Sequence, residues 1–287
     1  MKIRTVCPSC QKNTLDSQPA VLMPFIANRI FGWDSAYIDS SWSLADIPQG
    51  HLTFGCKTLY CQSCQTTFLD MGFDADEMSR LYSGYRSIDY NKLRSKYEPS
   101  YCKRATGLSL GYEYLPLVEK EISEYLKKPA RTIFDWGGDT GLNTPFKDTA
   151  NIFIYDPSGQ ATSSATRRVF TSLESSQQQY DIFVSMIVLE HLPNPLESLL
   201  AVIKYISADL YYFEVPFEKF ALNYTDLGSA FWRKKRHWHE HINCFTPKSF
   251  RTLISNSGLH PLSCVHRIYP NYVRDEHIIS CIAVRPL

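Results

Sequence analysis

The sequence predicts an α/β chain. Its C-terminal half reads as a doubly wound, mostly parallel sheet, and its N-terminus as a small module held by cysteines. Three observations predict this. Apolar strand patterns alternate with helical ones from Pro129 onward, an acidic strand end opens into a glycine-rich turn, and two C-x-x-C pairs stand fifty residues apart near the start. At 287 residues the chain is long enough for one large domain and a small one.

The first element is the cysteine module. Cys7-Pro8-Ser9-Cys10 and Cys61-Gln62-Ser63-Cys64 supply four thiolates. Four thiolates close a tetrahedral zinc site and leave no position for water or substrate, so such a site is structural. Cys56 is a substitute ligand at poorer spacing, and the scattered Cys102, Cys244, Cys264 and Cys281 read as buried free thiols. The start of the chain lacks the apolar run of a signal peptide, so a reducing cytoplasm is expected, where paired cysteines hold metal. Between the knuckles, the aromatic-rich stretch from Phe25 to Phe54 reads as short strands and loops. These features divide the chain into a zinc-binding module over 1–73, a helical connector over 74–128, and a sheet domain over 129–287.

Within the connector, Leu115, Val118, Ile122, Tyr125 and Leu126 recur at helical spacing, and Lys127-Lys128-Pro129 closes that helix. Strands are predicted at Thr132–Trp136, Ile152–Tyr155, Tyr180–Met186, Leu210–Val215 and Ile278–Val284. Helices are predicted at Pro195–Ile206 and Pro247–Ser257, the second with Thr246 as its N-cap. Ser172–Gln179 reads as a polar loop. A formal net charge of +1 gives no electrostatic case for a dedicated nucleic-acid binder, and the basic run Arg233–Arg236 reads as solvated loop charge. No stretch reaches the ~20 apolar residues of a membrane span.

The sharpest local feature is Ile133-Phe134-Asp135-Trp136-Gly137-Gly138-Asp139-Thr140-Gly141, an apolar strand running into a glycine turn. Glycines there allow positive φ and a close backbone approach to a ligand. A second apolar strand, Ile152-Phe153-Ile154-Tyr155, ends in Asp156, about 21 residues after Asp135. In doubly wound folds an acid at that place hydrogen-bonds ribose hydroxyls. Glycine turn and acid together point to a nucleoside. A dinucleotide fingerprint needs G-x-G-x-x-G, whereas Gly137, Gly138 and Gly141 give only G-G-x-x-G.

These residues resemble the class I S-adenosylmethionine (SAM) dependent methyltransferases. Asp135–Gly141 is similar to that family's D-x-G-C-G-T-G motif, and Tyr155-Asp156-Pro157-Ser158 to its G-x-D-x-S motif. Tyr180–Leu192 resembles the fourth-strand motif F-D-x-V-x-x-x-x-V-L-E-H-L. His239–Phe250 resembles the E-H-x-x-x-F-(S/T) stretch of a branch that includes sugar methyltransferases. The four segments stand in the family's order over roughly residues 130–287. The resemblance implies a Rossmann-like fold and S-adenosyl-L-methionine as cofactor, near Asp135, Gly137, Gly138, Gly141, Asp156, Glu190 and His191. It also implies ligand binding outside the carboxyl ends of the strands. Asp139 departs from the family's glycine, though Asp tolerates positive φ better than most residues. Pro145 shortens the helix expected after Gly141.

A four-cysteine module ahead of such a domain resembles the sugar C-methyltransferase group, which implies a small polar acceptor such as a nucleotide-linked sugar or glycan precursor. Tyr82, Tyr85, Arg86 and Tyr101 lie in stretches similar to the tyrosine-rich segment of those enzymes, and with His239 are the expected substrate-binding residues. Methyl transfer requires an aligned nucleophile and removal of its proton. Histidine is the natural base near neutral pH, and the Glu-His match makes His241 the expected base, with Glu240 assisting or holding substrate. Glu240 and His241 could equally organise the loop before the Thr246 cap. Two rival functions remain at this point: a non-catalytic scaffold on a degenerate SAM fold, and an RNA or protein methyltransferase.

Overall fold

The computed structural model describes residues 1–43, 46–47, 49–85, 87–99, 111–156, 167–170, 172–176, 178–221, 231–272 and 275–286. The N-terminal part opens with β1 (Lys2–Ile3), β2 (Leu15–Leu22), α1 (Pro24–Phe31), β3 (Ala36–Ile38) and β4 (Gly50–Leu52). It continues through β5 (Gly55–Cys61), β6 (Thr67–Leu69), β7 (Met71–Gly72), α2 (Ala75–Tyr82) and α3 (Ile88–Tyr97). After α4 (Leu115–Ser123) come β8 (Thr132–Trp136), β9 (Asn151–Tyr155), β10 (Arg167–Phe170), β11 (Gln179–Met186), α5 (Pro195–Tyr205) and β12 (Ser207–Pro216). The chain ends with β13 (His237–Trp238), β14 (Asn243–Cys244), α6 (Pro247–Asn256), β15 (His260–Tyr269) and β16 (Glu276–Val284).

Seven strands form the central sheet in the order β10-β9-β8-β11-β12-β16-β15. The pairs from β10 to β12 are parallel; β16 runs antiparallel to β12 and β15 antiparallel to β16. Side chains alternate across the sheet, as the strand period demands. Phe134, Phe183, Tyr211 and Phe213 pack on one face with Leu199, Val202, Phe250 and Leu253 of α5 and α6. Ile133, Ile182, Val184, Leu210 and Tyr212 pack on the other with Val118 and Ile122 of α4. Helices therefore cover both faces, and the strand order reverses between β8 and β11, where such sheets bind ligands.

The second sheet, β13-β2-β5-β6-β14, is built from both ends of the chain. β13 adds parallel to β2 at one edge, and β14 adds antiparallel to β6 at the other. Trp238, Ile242 and Cys244 thus share a core with Leu22, Phe25, Ile26 and Leu69. Residues 239–242 pass from one edge of that sheet to the other, and this short crossing carries His239, Glu240 and His241.

Several expectations need correction. Pro24–Phe31 is a helix rather than strand or loop; Pro24 at its first turn and Gly32 as left-handed C-cap close it cleanly. No regular helix follows the glycine turn: residues 142–150 run as turns directly into β9. α4 stops at Ser123, before the lysine pair expected to end it. Thr246 caps α6 as expected, accepting from the Ser249 amide while Ser249 reaches back to Thr246. Among the described residues, no helix is long and apolar enough to cross a membrane.

Candidate active site

The glycine turn joins β8 to the residues that lead into β9. Gly137 and Gly141 have φ of 80° and 73°, and Asp139 adopts the left-handed region at 49°. A Cβ on Gly137 would stand 2.5 Å from Cγ2 of Val188, and one on Gly138 2.4 Å from Oδ2 of Asp135. The glycines are thus needed inside the protein, so that the turn can lie against its neighbours. Asp135 is buried beneath the turn, where Thr144 Oγ1 donates to it at 2.5 Å. Burial pushes its carboxyl up to about 7, against the pull of the Thr144 hydroxyl. Asp156, at the end of β9, reaches back to the turn and accepts the Asp139 amide at 2.9 Å. The turn and the acid predicted to bind one ligand are therefore physically joined. Pro157 and Ser158 of that stretch lie outside the described residues.

Beside the turn, β11 ends at Met186 and the chain bends sharply. Ile187 has φ of 57°, a strained conformation for a β-branched residue, held by its amide donating to the Glu214 carbonyl at 2.8 Å. The bend delivers Glu190 and His191 to the site. Asn243 clamps it: its side-chain amide donates to the carbonyls of Leu189, Glu190 and Leu192 at 3.2, 3.3 and 2.8 Å. Arg4, buried at 8% exposure, fastens that clamp. Its guanidinium donates to Asn243 Oδ1 at 2.7 Å, to the Ile242 carbonyl at 2.9 Å, to the Pro193 carbonyl at 3.1 Å and to the Leu69 carbonyl at 2.8 Å. With no carboxylate in hydrogen-bond contact among the described residues, burial lowers the Arg4 pKa to about 9, although the charge of Asp70 opposes the shift.

His241 faces His191 edge to face, with ring centroids 4.7 Å apart. The His241 Nδ1–H donates to Oε1 of Glu218 at 3.1 Å, and Lys235 Nζ lies 3.9 Å from Oε2 of the same carboxylate. Burial alone would raise Glu218, but His241 and Lys235 outweigh it and hold the carboxyl below its usual range. Burial alone would lower His241, but the Glu218 hydrogen bond and nearby carboxylates raise it. Lys235, expected among solvated loop charges, is buried and turned inward. His191 is pushed down to about 3 by burial and by the charge of His241. Its Nδ1–H donates to the Glu240 carbonyl at 3.1 Å, with Tyr82 Oη 2.9 Å from the same nitrogen.

Glu240 sits in a different environment from His241. Arg94 Nη2 donates to both its oxygens, at 2.9 and 3.0 Å, and Arg94 Nε donates to Glu98 at 3.0 Å. Burial works to raise Glu240, but the charges of Arg94, His241 and His191 together outweigh it and hold it at about 2. His239 Nδ1 lies 3.3 Å from Glu98 Oε1. Tyr85 packs edge-on against Tyr82 and Tyr90. Of the expected substrate residues, then, Tyr82 touches the histidine cluster directly, while Tyr85 and His239 belong to its surroundings. Arg86 and Tyr101 lie outside the described residues. Glu218, Lys235, Arg94, Asn243 and Arg4 were not singled out from the sequence. Lys235 was read only as part of a solvated basic run, and no spacing rule marks a residue whose partner lies in a separate segment.

The four cysteines converge as predicted. Cys7 and Cys64 have their sulfurs 3.4 Å apart, Cys10 and Cys61 3.5 Å, and all four lie within 4.8 Å of one another. Tetrahedral zinc with bonds of about 2.3 Å sets its sulfurs roughly 3.8 Å apart, so the donor set and spacing suit that ion. Cys56 stands outside the cluster, its thiol raised to about 12 by burial. Cys102 falls outside the described residues.

Residues 110–263, more than half of the chain, match the model of a family described as a methyltransferase domain. No curated protein matches the sequence significantly. Among solved structures, one similar fold is the 1,6-didemethyltoxoflavin-N1-methyltransferase of Burkholderia thailandensis with bound 1,6-didemethyltoxoflavin and S-adenosylhomocysteine. It has a TM-score of 0.50 at 14% identity, over 79% of this chain and 99% of that one. The magnesium protoporphyrin IX methyltransferase of Synechocystis PCC 6803 with bound SAM gives 0.45 at 14% identity, over 75% and 99%. At such identities the likeness speaks for the fold alone.

Proposed function

The chain belongs to the methyltransferase-domain family, and from that premise we propose that it moves the methyl group of S-adenosylmethionine to a small polar acceptor. A nucleotide-linked sugar or glycan precursor is the favoured acceptor class. One observation carries the reading: the glycine turn, tied to Asp156, lies against Val188 in the bend that carries Glu190 and His191, at the carboxyl ends of the paired strands β8 and β11. The backbone of Gly137, Gly138 and Gly141 would hold the methionine part of the cofactor, with Asp135 bracing the turn from below. Asp156 would hold its ribose, and residues 189–192 would flank its adenosine. When bound, SAM supplies a methyl group already activated by a sulfonium. The S-adenosylhomocysteine in the toxoflavin methyltransferase supports this cofactor through the shared fold.

The protein's own residues would bind, orient and deprotonate the acceptor. We assign that deprotonation to His241, because Glu218 fixes its Nδ1 and leaves Nε2 for chemistry. Glu240, fully engaged by Arg94, is a positioning residue that sets the backbone on which His191 and His241 stand. Tyr82, Tyr85 and His239, together with Arg86 and Tyr101, are proposed to line the acceptor's approach. Cys7, Cys10, Cys61 and Cys64 are proposed to hold a structural zinc ion, which suits a reducing cytoplasm. The module over 1–73 and the connector over 74–128 would shape the acceptor side of a methyltransferase domain spanning 129–287.

A non-catalytic scaffold draws support only from the absence of a helix after Gly141 and from Asp139 in the turn. Asp139 occupies a conformation it tolerates and helps tie Asp156 to the turn, which favours an intact cofactor site. The test is His241→Ala, assayed by transfer of labelled methyl to a panel of nucleotide-linked sugars. Turnover is expected to fall by on the order of 10²–10⁴ while SAM affinity is kept. Unchanged turnover would remove His241 from the mechanism.

A further inference from the structure

Glu190 is the most unusual group in the site. Its side chain is fully buried, and both carboxylate oxygens lack a hydrogen-bond partner among the described residues. Nε2 of His191 lies 3.5 Å from its Oε1. A buried carboxylate with no donor is costly, and proteins retain one where a cation or ligand completes it. One ligand atom each of Glu190, His191 and His241 lies within 4.8 Å of the others.

The geometry points to a binding site for a divalent cation formed by Glu190, His191 and His241. Both histidines are prepared as ligands in the same way. In each ring Nδ1 is already engaged, on the Glu240 carbonyl and Tyr82 hydroxyl for His191 and on the Glu218 carboxylate for His241, which leaves Nε2 as the ligating nitrogen. The supports of this second layer are themselves held, Glu240 by Arg94 and Glu218 beside Lys235. Two imidazoles and one carboxylate suit a first-row ion such as Mn²⁺, Co²⁺ or Zn²⁺ better than Mg²⁺ or Ca²⁺, which favour all-oxygen shells. Bonds of about 2.1 Å place ligand atoms roughly 3–4 Å apart, so a modest contraction of three side chains closes the site. Three protein ligands leave positions open for an acceptor oxygen, unlike the closed four-thiolate cluster.

The cation's role rests on the methyltransferase reading; its binding does not. An acceptor hydroxyl bound to the ion would lose its proton to water more readily; with the ion in place His241 would act by holding it, its Nε2 no longer taking the proton itself. The experiment uses the full-length protein brought to one zinc per chain by dialysis and titrated with Mn²⁺, which competes poorly for thiolates. Electron paramagnetic resonance reads the free ion, and SAM binding is measured in parallel by calorimetry. The expected result is one Mn²⁺ per chain, weakened at least tenfold in the near-isosteric Glu190→Gln and in His191→Ala, with unchanged circular dichroism. No Mn²⁺ binding by the wild type, or equal affinity in all three proteins, overturns the site. Mn²⁺ binding without SAM binding would uphold the site while sinking the methyltransferase reading, so the two failures are distinguishable.

Discussion

The two halves of the site are built on different plans. The cofactor half, from β8 through the glycine turn to Asp156, is continuous in sequence and made largely of backbone. Its contacts are short-range: Asp135 to Thr144, Asp139 to Asp156, Gly137 to Tyr155. The acceptor half draws Tyr82, Arg94, Glu218 and His241 from four separate stretches around Glu190 and His191, which border the cofactor as well, and the N-terminal Arg4 fastens it from outside. Backbone geometry tolerates no change of residue type at a few glycine positions. A scattered side-chain cluster depends on whatever holds its segments in place.

That contrast predicts different failures. Variants in the acceptor half should lose turnover and spare the cofactor, with His241→Ala the most severe. Arg4→Met comes next, because it keeps the apolar stem but removes four hydrogen bonds, the one to Asn243 Oδ1 among them. It is expected to cost about 2–4 kcal/mol of stability, read by urea unfolding. At temperatures where it remains folded, kcat should fall several-fold as the bend at 189–193 loosens. If Arg4→Met is as stable and active as the wild type, the clamp has no bearing on catalysis. Gly138→Ala tests the other half with a smaller effect. Its Cβ would press on the buried Asp135 carboxylate, costing about 1–3 kcal/mol. SAM affinity should drop roughly tenfold, with little change in kcat once the cofactor saturates. A loss of kcat alone would erase the division between the halves.

Legibility in the sequence follows the same division. Thr132–Trp136 is a strand over the predicted residues, and the second, third and fourth predicted strands differ from the structure only at their ends, because buried parallel strands read as largely apolar runs. β10 and β15 were missed. Arg167-Arg168-Val169-Phe170 has too few apolar residues to signal a strand, and Pro261 and mixed polar residues mask the edge strand His260–Tyr269. The glycine turn, Asp156 and the four cysteines were legible because each is a local pattern. That His237–Trp238 and Asn243–Cys244 would complete the N-terminal sheet was not, since strand pairing across 170 or more positions leaves no trace in spacing. Glu218 and Arg94 were hidden for the same reason: an isolated charge in a sequence does not reveal its partner.

The most direct test of the central claim is calorimetric titration of the metal-loaded protein with SAM. The account predicts one site per chain with a Kd on the order of micromolar, weakened in Gly138→Ala and unchanged in His241→Ala. No heat of binding from the folded, metal-loaded protein would contradict it.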